Sequence, residues 1–339
     1  MDRAFIDAIP KAELHLHIEG TIEPDHAFRM ADRNGVELPW AGARELAEAY
    51  AFDDLQSFLD VYYAVTAVLQ TRDDFTEIAE SYFARAARQG VRHAEIFFDP
   101  QSHTSRGVDI AVAIEGLWAA VSASSERHGL TSSLILCFLR DRGAAEASTI
   151  LESAVPFLDL LSGVGLDSAE VGHPPAEFEG VFARAAELGL RRVAHAGEEG
   201  PPEYVWQALD ALGAERIDHG VRSLEDPRLL ERLVREQVPL TVCPFSNVRL
   251  KVVSDLVEHP IERMLHAGLL VSINSDDPAY FGGYVGDNFA GLAQEAGLDA
   301  GALRVLAENS FHSSFLDEDT RARHLAAVRD HFESNGHHE

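Results

Sequence analysis

The sequence predicts an α/β fold of the (β/α)8 TIM barrel type, with extra helices covering the C-terminal mouth. Two observations along the 339 residues lead to this prediction. Short β-branched or apolar segments recur, and each is followed by a stretch with the periodicity of an amphipathic helix. Eight such segments occur, and a parallel sheet of eight strands can close on itself, which removes both exposed edges. A doubly wound open sheet has the same periodicity and stays the alternative.

The first strand is predicted at residues 13–20, where apolar and polar side chains alternate with a period of two. The strands that follow are predicted at residues 91–98, 133–139, 163–171, 191–195, 216–219, 239–243 and 268–274. The helices between them are predicted at residues 74–89, 109–127, 144–160, 177–188, 203–212, 227–236 and 261–266. Several of these helices are followed by glycine, which is typical of a helix C-terminal cap.

One domain spanning residues 1–339 is predicted, because no low-complexity linker or short repeat divides the chain. A helical insertion is expected at about residues 24–72, with pieces at 26–34, 43–50 and 54–70 that cover one mouth of the barrel. Further surface helices are expected at about residues 299–335, and residues 335–339 are expected to be frayed.

The composition excludes some classes of partner. The net charge is −28, whereas binding to DNA, RNA or an anionic membrane requires basic surface, so none of these is an expected partner. Cys137 and Cys243 lie within apolar segments and are expected to be buried thiols in a reducing compartment. Residues 1–11 lack the features of a signal peptide, and no run of about 18 apolar residues suits a membrane span. A cytoplasmic location is therefore expected.

The first strand carries the clearest sign of a metal site. His15 and His17 are two residues apart, so in a strand both side chains point to the same face and can bind one metal ion. Gly20 follows, which indicates that the pair lies where the strand ends. The alternative is a polar strand edge with two solvated histidines. A metal site needs more ligands, which must come from elsewhere in the chain.

Further polar residues end other predicted strands. In chain order they are His195 and Glu198, His219, and Asp276 and Asp277, at the fifth, sixth and eighth strands. Barrel enzymes place their chemistry at the C-terminal ends of the strands, so all of these side chains can face one mouth. Taken singly, Glu198 is explained as a carboxylate at a helix N-terminus, His219 as a core histidine and Asp277 as the start of a turn.

Three imidazoles and one carboxylate make a site suited to Zn²⁺ with one position left for water. The candidate ligands are His15, His17, His195 and Asp276. A zinc ion lowers the pKa of its bound water towards ~7 and so provides a hydroxide nucleophile at neutral pH. The combination of strand-end residues favours a metal site over the separate explanations.

Four motifs closely resemble those of the adenosine/adenine deaminase family, in the family's order and spacing. They are residues 10–21, 195–198, 218–220 and 275–278, and the resemblance covers about residues 10–315. It implies an amidohydrolase-type (β/α)8 barrel that holds one zinc ion per chain through the four candidate ligands.

Within this family the sequence is more similar to the adenine deaminase type, in residues 69–71, 97–101, 243–248 and 277–284. Adenosine deaminases usually carry Asp, which reaches the ribose, at the position of Glu19, and the longer Glu19 side chain would fill space that a ribose needs. The pair Asp141-Arg142 is a departure, because adenine-specific relatives have His there. Arg142 near the pocket is a candidate contact for a polar or anionic substituent on the purine.

The resemblance implies zinc-dependent hydrolytic deamination of adenine to hypoxanthine and ammonia, a reaction of purine salvage. Glu198 would donate a proton to N1 and His219 would orient the hydroxide, so these two are the predicted catalytic residues. Asp277 would hydrogen-bond at N7, and the backbone N–H of Gly172 would meet N3. Together with Glu19, these two form the predicted substrate-binding set.

Three alternatives stay open. The first is the same reaction on another 6-aminopurine, namely adenosine, an N6-substituted adenine of the cytokinin kind, or aminodeoxyfutalosine. The second is a different barrel metallohydrolase, although such enzymes often bridge two metals through a lysine and no Lys ends a predicted strand here. The third is a catalytically silent binding protein. The expected partner is a small-molecule 6-aminopurine, and the sequence gives no indication of the oligomeric state.

Overall fold

The computed structural model describes residues 1–52 and 55–337, with the side chains of residues 55 and 56 left out. The described part contains eight strands that are all parallel and pair in chain order from β1 to β8. They are β1 (Lys11–His17), β2 (Val91–Phe98), β3 (Thr131–Leu139), β4 (Gly163–Asp167), β5 (Arg191–Ala196), β6 (Arg216–His219), β7 (Pro239–Val242) and β8 (Leu270–Ile273).

The sheet closes between its first and last strands. Leu16 forms a parallel bridge with Asp276, which follows β8. His17 N donates to Asp276 O at 3.0 Å, and Asp276 N donates to His15 O at 3.1 Å. The prediction of a (β/α)8 barrel is confirmed, and the open doubly wound sheet is excluded because β1 and β8 are neighbours.

Helices surround the barrel. They are α1 (Arg3–Ala8), α2 (Pro24–Asn34), α3 (Ala43–Ala49), α4 (Leu55–Thr66), α5 (Arg72–Arg88), α6 (Pro100–Thr104), α7 (Ile110–Val121), α8 (Ser124–His128), α9 (Ala144–Ala154), α10 (Glu179–Glu187), α11 (Pro202–Asp210), α12 (Pro227–Glu236), α13 (Pro244–Arg249), α14 (Ile261–His266), α15 (Pro278–Phe281), α16 (Val285–Gln294), α17 (Ala300–His312) and α18 (Glu318–Ser334). Short 3₁₀ segments occur at Glu19–Thr21, Arg140–Arg142, Val155–Leu160, Pro175–Phe178 and Val221–Glu225. Within the described part, no helix combines the length and the apolar character that a bilayer crossing requires.

Three predicted elements differ from the structure. The predicted strand at residues 163–171 ends at Asp167, because Ser168 has a φ of 69° and turns the chain away. The predicted helix at 109–127 is interrupted after Val121 and resumes as α8. The predicted helix at 144–160 continues past Ala154 only as a 3₁₀ segment, because Pro156 there has no N–H to donate.

The insertion holds helices α2, α3 and α4, and the tail holds α17 and α18. The predicted piece at 54–70 began at residue 54, which lies outside the described residues, and α4 ends at Thr66. Residues 338 and 339 of the predicted frayed end also lie outside the described residues. Residue 337 is held in place, since His337 N donates to Phe332 O at 3.0 Å and its ring packs against Phe5.

Candidate active site

Strands from opposite sides of the barrel bring the predicted metal ligands together. His15 and His17 lie at the end of β1 and His195 lies in β5, and all of them are buried. His17 Nε2 is 3.2 Å from His195 Nε2. Asp276 Oδ1 is 3.4 Å from His15 Nε2 and 3.5 Å from His17 Nε2. Three imidazoles and one carboxylate therefore converge inside the C-terminal mouth.

The contacts within this cluster fit a bound cation. His15 Nε2 is buried and has no hydrogen-bond partner among the residues described. The facing Nε2 atoms of His17 and His195 repel unless one of them carries a proton or both face a cation. Ligand-capable atoms of His15, His195, His219 and Asp276 all lie within 4.8 Å of one another. Nitrogen ligands with one carboxylate are a donor set that Zn²⁺ prefers.

Asp218 lies on the outer side of this cluster. It was not among the predicted site residues. Its Oδ1 accepts from Thr241 Oγ1 at 2.7 Å and is 3.9 Å from His15 Nδ1. Its Oδ2 is 3.5 Å from His195 Nδ1. A carboxylate facing the outer nitrogen of a ligating histidine fixes the ring and its tautomer. The signal in the sequence was an acidic residue inside a predicted buried strand.

Glu198 lies beside the cluster on the loop that follows β5. Its Oε2 is 3.6 Å from His219 Nε2. The buried carboxylate of Glu170 accepts four backbone N–H groups of this loop, those of residues 197, 198, 199 and 200, at 2.7 to 3.1 Å. Arg140 holds the strand itself, because its Nη1 donates to His195 O at 2.8 Å. The position of Glu198 is therefore fixed by groups outside the cavity.

Burial sets the charge of the acids around the cluster. It raises the pKa of the Glu198 carboxyl well above its ordinary value, and the nearby Asp276 carboxylate raises it further. Burial and Asp276 raise the pKa of Asp277 in the same way. Burial would also raise the pKa of Asp276, but His15 and the other imidazoles hold it well below its ordinary value. Burial and charge thus favour an ionised Asp276 next to protonated Glu198 and Asp277.

The cluster opens into a small cavity inside the C-terminal mouth. Its polar wall is formed by His17, Asp99, Asp167, Glu198, His219 and Asp277. Its apolar side includes Phe58 and Tyr62 of α4 and Phe281 of α15. The insertion therefore covers the C-terminal mouth, as predicted.

Asp277 lines the cavity, and the neighbouring glycine makes room for it. A Cβ at Gly20 would collide with the Asp277 carboxylate. Gly172, the other predicted purine contact, is not at the cavity, because it lies in an exposed turn. The reason is the early end of β4, which places Ser168 in the cavity wall instead. Gly172 is therefore outside the cavity wall in this structure, and its assignment to N3 stays a prediction.

Glu19 and Arg142 also lie away from the cavity. Glu19 is fully buried, and its Oε1 accepts from Asp99 N at 3.1 Å and from His103 Nε2 at 2.8 Å. Glu19 thus supports the cavity wall from outside. It does not contact the cavity, although it was predicted to bind the substrate. Arg142 pairs with Glu146 at 3.6 Å on an outer surface groove and does not reach the mouth.

Comparisons with known proteins agree with the fold and show the family. The family model described as adenosine deaminase matches residues 10–331. An adenine deaminase of Streptomyces coelicolor is 63% identical over 322 residues, which cover 94% of this chain and 95% of that protein. A crystal structure of adenine deaminase from Arthrobacter aurescens superposes with a TM-score of 0.95 at 53% identity, covering 96% of this chain and 100% of the other.

A second solved structure bears on the metal. An amidohydrolase from Burkholderia ambifaria with bound zinc superposes with a TM-score of 0.90 at 28% identity, covering 98% of this chain and 93% of that one. Deaminases of the amidohydrolase class depend on a metal, and this chain has the buried His and Asp cluster that such an ion needs. The predicted relationship is confirmed: the chain belongs to the adenosine deaminase family.

Proposed function

We propose that this protein hydrolyses adenine to hypoxanthine and ammonia, with one zinc ion per chain. The observation that carries the proposal is the buried cluster of His and Asp side chains that lies next to Glu198 and Asp277 in one cavity. The choice of adenine is supported by relatives named adenine deaminase that align over nearly the whole chain.

Zinc would be held by His15, His17, His195 and Asp276, whose side chains converge on one point. When bound, zinc supplies Lewis acidity and an activated water at neutral pH. Behind the ligating rings, Thr241 is the hydrogen-bond partner of His15 Nδ1, and the Asp218 carboxylate lies 3.5 Å from His195 Nδ1. The remaining chemistry is carried by side chains of the chain itself.

Glu198 donates a proton to N1 of the purine. Its raised pKa favours the protonated carboxyl, so Glu198 can act as an acid at the start of the reaction. Protonation at N1 makes C6 electron-poor and lets water add to it. Burial, together with nearby His15, lowers the pKa of His219 to about 3, so His219 is neutral and can accept a hydrogen bond from the attacking water.

Asp277 orients the ring by donating a hydrogen bond to N7. Its raised pKa keeps the proton that this bond requires, and Gly20 leaves the space in which its side chain lies. After water has added at C6, the proton from Glu198 stays on N1, one proton of the water passes through the Glu198 carboxylate to the amino group, and the other restores Glu198 as the C6=O bond forms. Ammonia then leaves and the 6-oxopurine remains.

We also propose that the chain is one domain that acts in the cytoplasm without a nucleic-acid partner. The net charge of −28 opposes binding to phosphates. Cys137 and Cys243 are buried and free, which suits a reducing compartment.

The test measures turnover of a panel of 6-aminopurines by ultraviolet difference spectroscopy. The panel contains adenine, adenosine, N6-methyladenine, N6-isopentenyladenine and aminodeoxyfutalosine. We expect the highest kcat/KM for adenine. Activity on adenosine alone would overturn the choice of adenine, and inactivity on the whole panel would overturn the deaminase function.

A further inference from the structure

Two acids in the cavity wall have no role in the chemistry described above. Asp99 follows β2 and Asp167 ends β4, and they are 3% and 2% exposed. Both line the cavity. They lie beside each other, because ligand-capable atoms of His17, Asp99 and Asp167 are within 4.8 Å of one another.

These carboxylates have hydrogen-bonding capacity left over. Asp99 Oδ2 accepts from Tyr62 OH at 2.9 Å. Asp99 Oδ1 and both oxygens of Asp167 are buried without a hydrogen-bond donor from the described residues. A proton shared between the two acids would still leave acceptor positions empty. Buried acceptors without donors are costly, so a donor from a bound ligand is the expected partner.

The wall is held rigidly from behind. Asp99 N donates to Glu19 Oε1, which also accepts from His103 Nε2. Tyr62 fixes the carboxylate of Asp99 from α4. Glu19 is therefore a positioning residue for Asp99. Acceptors fixed in this way before a ligand arrives discriminate well between ligands that do and do not offer a donor.

The two acids lie on the far side of His17 from the metal ligands. His17 Nε2 faces His195, whereas His17 Nδ1 is 3.5 Å from Asp167 Oδ2 and 3.9 Å from Asp99 Oδ1. Glu198, by contrast, adjoins His219. When N1 of a purine contacts Glu198, a different edge of the ring can therefore face Asp99 and Asp167.

The chemistry of the ring identifies that edge. With N7 accepting from Asp277, the imidazole proton of the purine is on N9, and N9–H is then the only ring N–H donor. We propose that Asp99 and Asp167 accept a hydrogen bond from N9–H and thereby select the free base over purines substituted at N9. The inference rests on the proposed function. A substituent at N9 removes the donor and meets two buried carboxylates.

The test compares adenine with 9-methyladenine, which differs at this edge alone. The variants are Asp99→Leu and Asp167→Leu, which remove both acceptor oxygens at similar volume. Asp141→Leu is the matched control, because Asp141 is exposed and does not line the cavity. We expect wild type and D141L to prefer adenine strongly. In the two test variants kcat/KM for adenine should fall about 10- to 100-fold, while kcat/KM for 9-methyladenine stays within about threefold.

Measuring the zinc content of the variants distinguishes recognition of N9–H from an indirect effect through His17. An equal loss for both substrates, or loss of zinc from the variants, would mean that the acids act through the metal ligand, and would overturn the proposal. Equal inhibition of wild type by hypoxanthine and 9-methylhypoxanthine would also overturn it, and this measurement does not depend on the folding of any variant. Wild-type activity on adenosine but not on adenine would overturn the proposed function itself.

Discussion

At the scale of single residues, the proton on Glu198 gives the sharpest test of the reaction. Glu198→Gln keeps the shape of the side chain but cannot deliver a proton to N1, so kcat should fall about 10²- to 10⁴-fold with zinc still bound. Because the acid must be protonated, kcat/KM of wild type should decline as pH rises through the raised pKa of Glu198. Turnover assays with metal analysis test this, and near-normal activity would remove Glu198 from the acid role.

Asp277 tests whether the two adjacent aspartates have separate roles. Asp277→Ala removes the donor to N7, so KM should rise and kcat should fall, together lowering kcat/KM by about 10- to 100-fold. Metal content should stay normal, because Asp276 supplies the carboxylate that faces His15 and His17. Kinetics and metal analysis on the same preparation are the measurements. Loss of zinc from this variant would contradict the separation of roles.

At the scale of elements, the loop after β5 depends on one side chain. Glu170 accepts four backbone N–H groups there, so Glu170→Gln replaces one acceptor oxygen by an amide that faces N–H donors. We expect a stability loss of about 2–3 kcal/mol and a kcat about tenfold lower, with zinc retained. Urea unfolding and turnover test this, with exposed Glu177→Gln as control. Unchanged kcat in E170Q would show that Glu198 is positioned by other groups.

The strands show what the sequence could and could not predict. The predicted bounds of β2 and β6 match the structure, since Gly90 precedes β2 and Gly220 follows β6. The end of β4 was predicted wrongly because it depends on the left-handed conformation of Ser168. A glycine at this position would have indicated such a turn, but a serine does not. Asp167 was consequently hidden inside a predicted strand. Asp99, by contrast, follows a correctly predicted strand. Its contacts could not be predicted, because they depend on which strands become neighbours in the closed barrel.

At the scale of the whole molecule, a buried ion pair crosses the barrel interior. Arg216 Nη1 of β6 donates to Glu95 Oε2 of β2 at 2.6 Å. Burial opposes ionisation of Glu95, but Arg216 and the hydrogen bond from His93 outweigh it and hold the pKa at about 2. The folded-state pKa is depressed, so this stabilisation is full above the unfolded value of about 4.5 and is lost as pH falls towards 2.

Glu95→Gln should therefore destabilise the protein by about 3–5 kcal/mol at neutral pH, because it removes the nearest carboxylate from buried Arg216 and leaves only the more distant Asp218 at 3.8 Å. The difference from wild type should shrink between pH 4.5 and pH 2, the window set by the depressed pKa. Urea unfolding across this range is the measurement, with exposed Glu37→Gln as control. A difference that did not depend on pH would contradict the ionised state of Glu95.

The bridge between Leu16 and Asp276 has a consequence for how the protein is made. The two residues are separated by 260 positions, so a ribosome adding about 5–20 residues per second needs on the order of tens of seconds between them. Throughout that time β1 has emerged with one sheet partner at most, and its two histidines lack their carboxylate. A nascent chain that stops before Asp276 has neither a closed barrel nor a complete ligand set. With the proposed ligand set, the full metal site therefore forms only after the last strand of the barrel has been made.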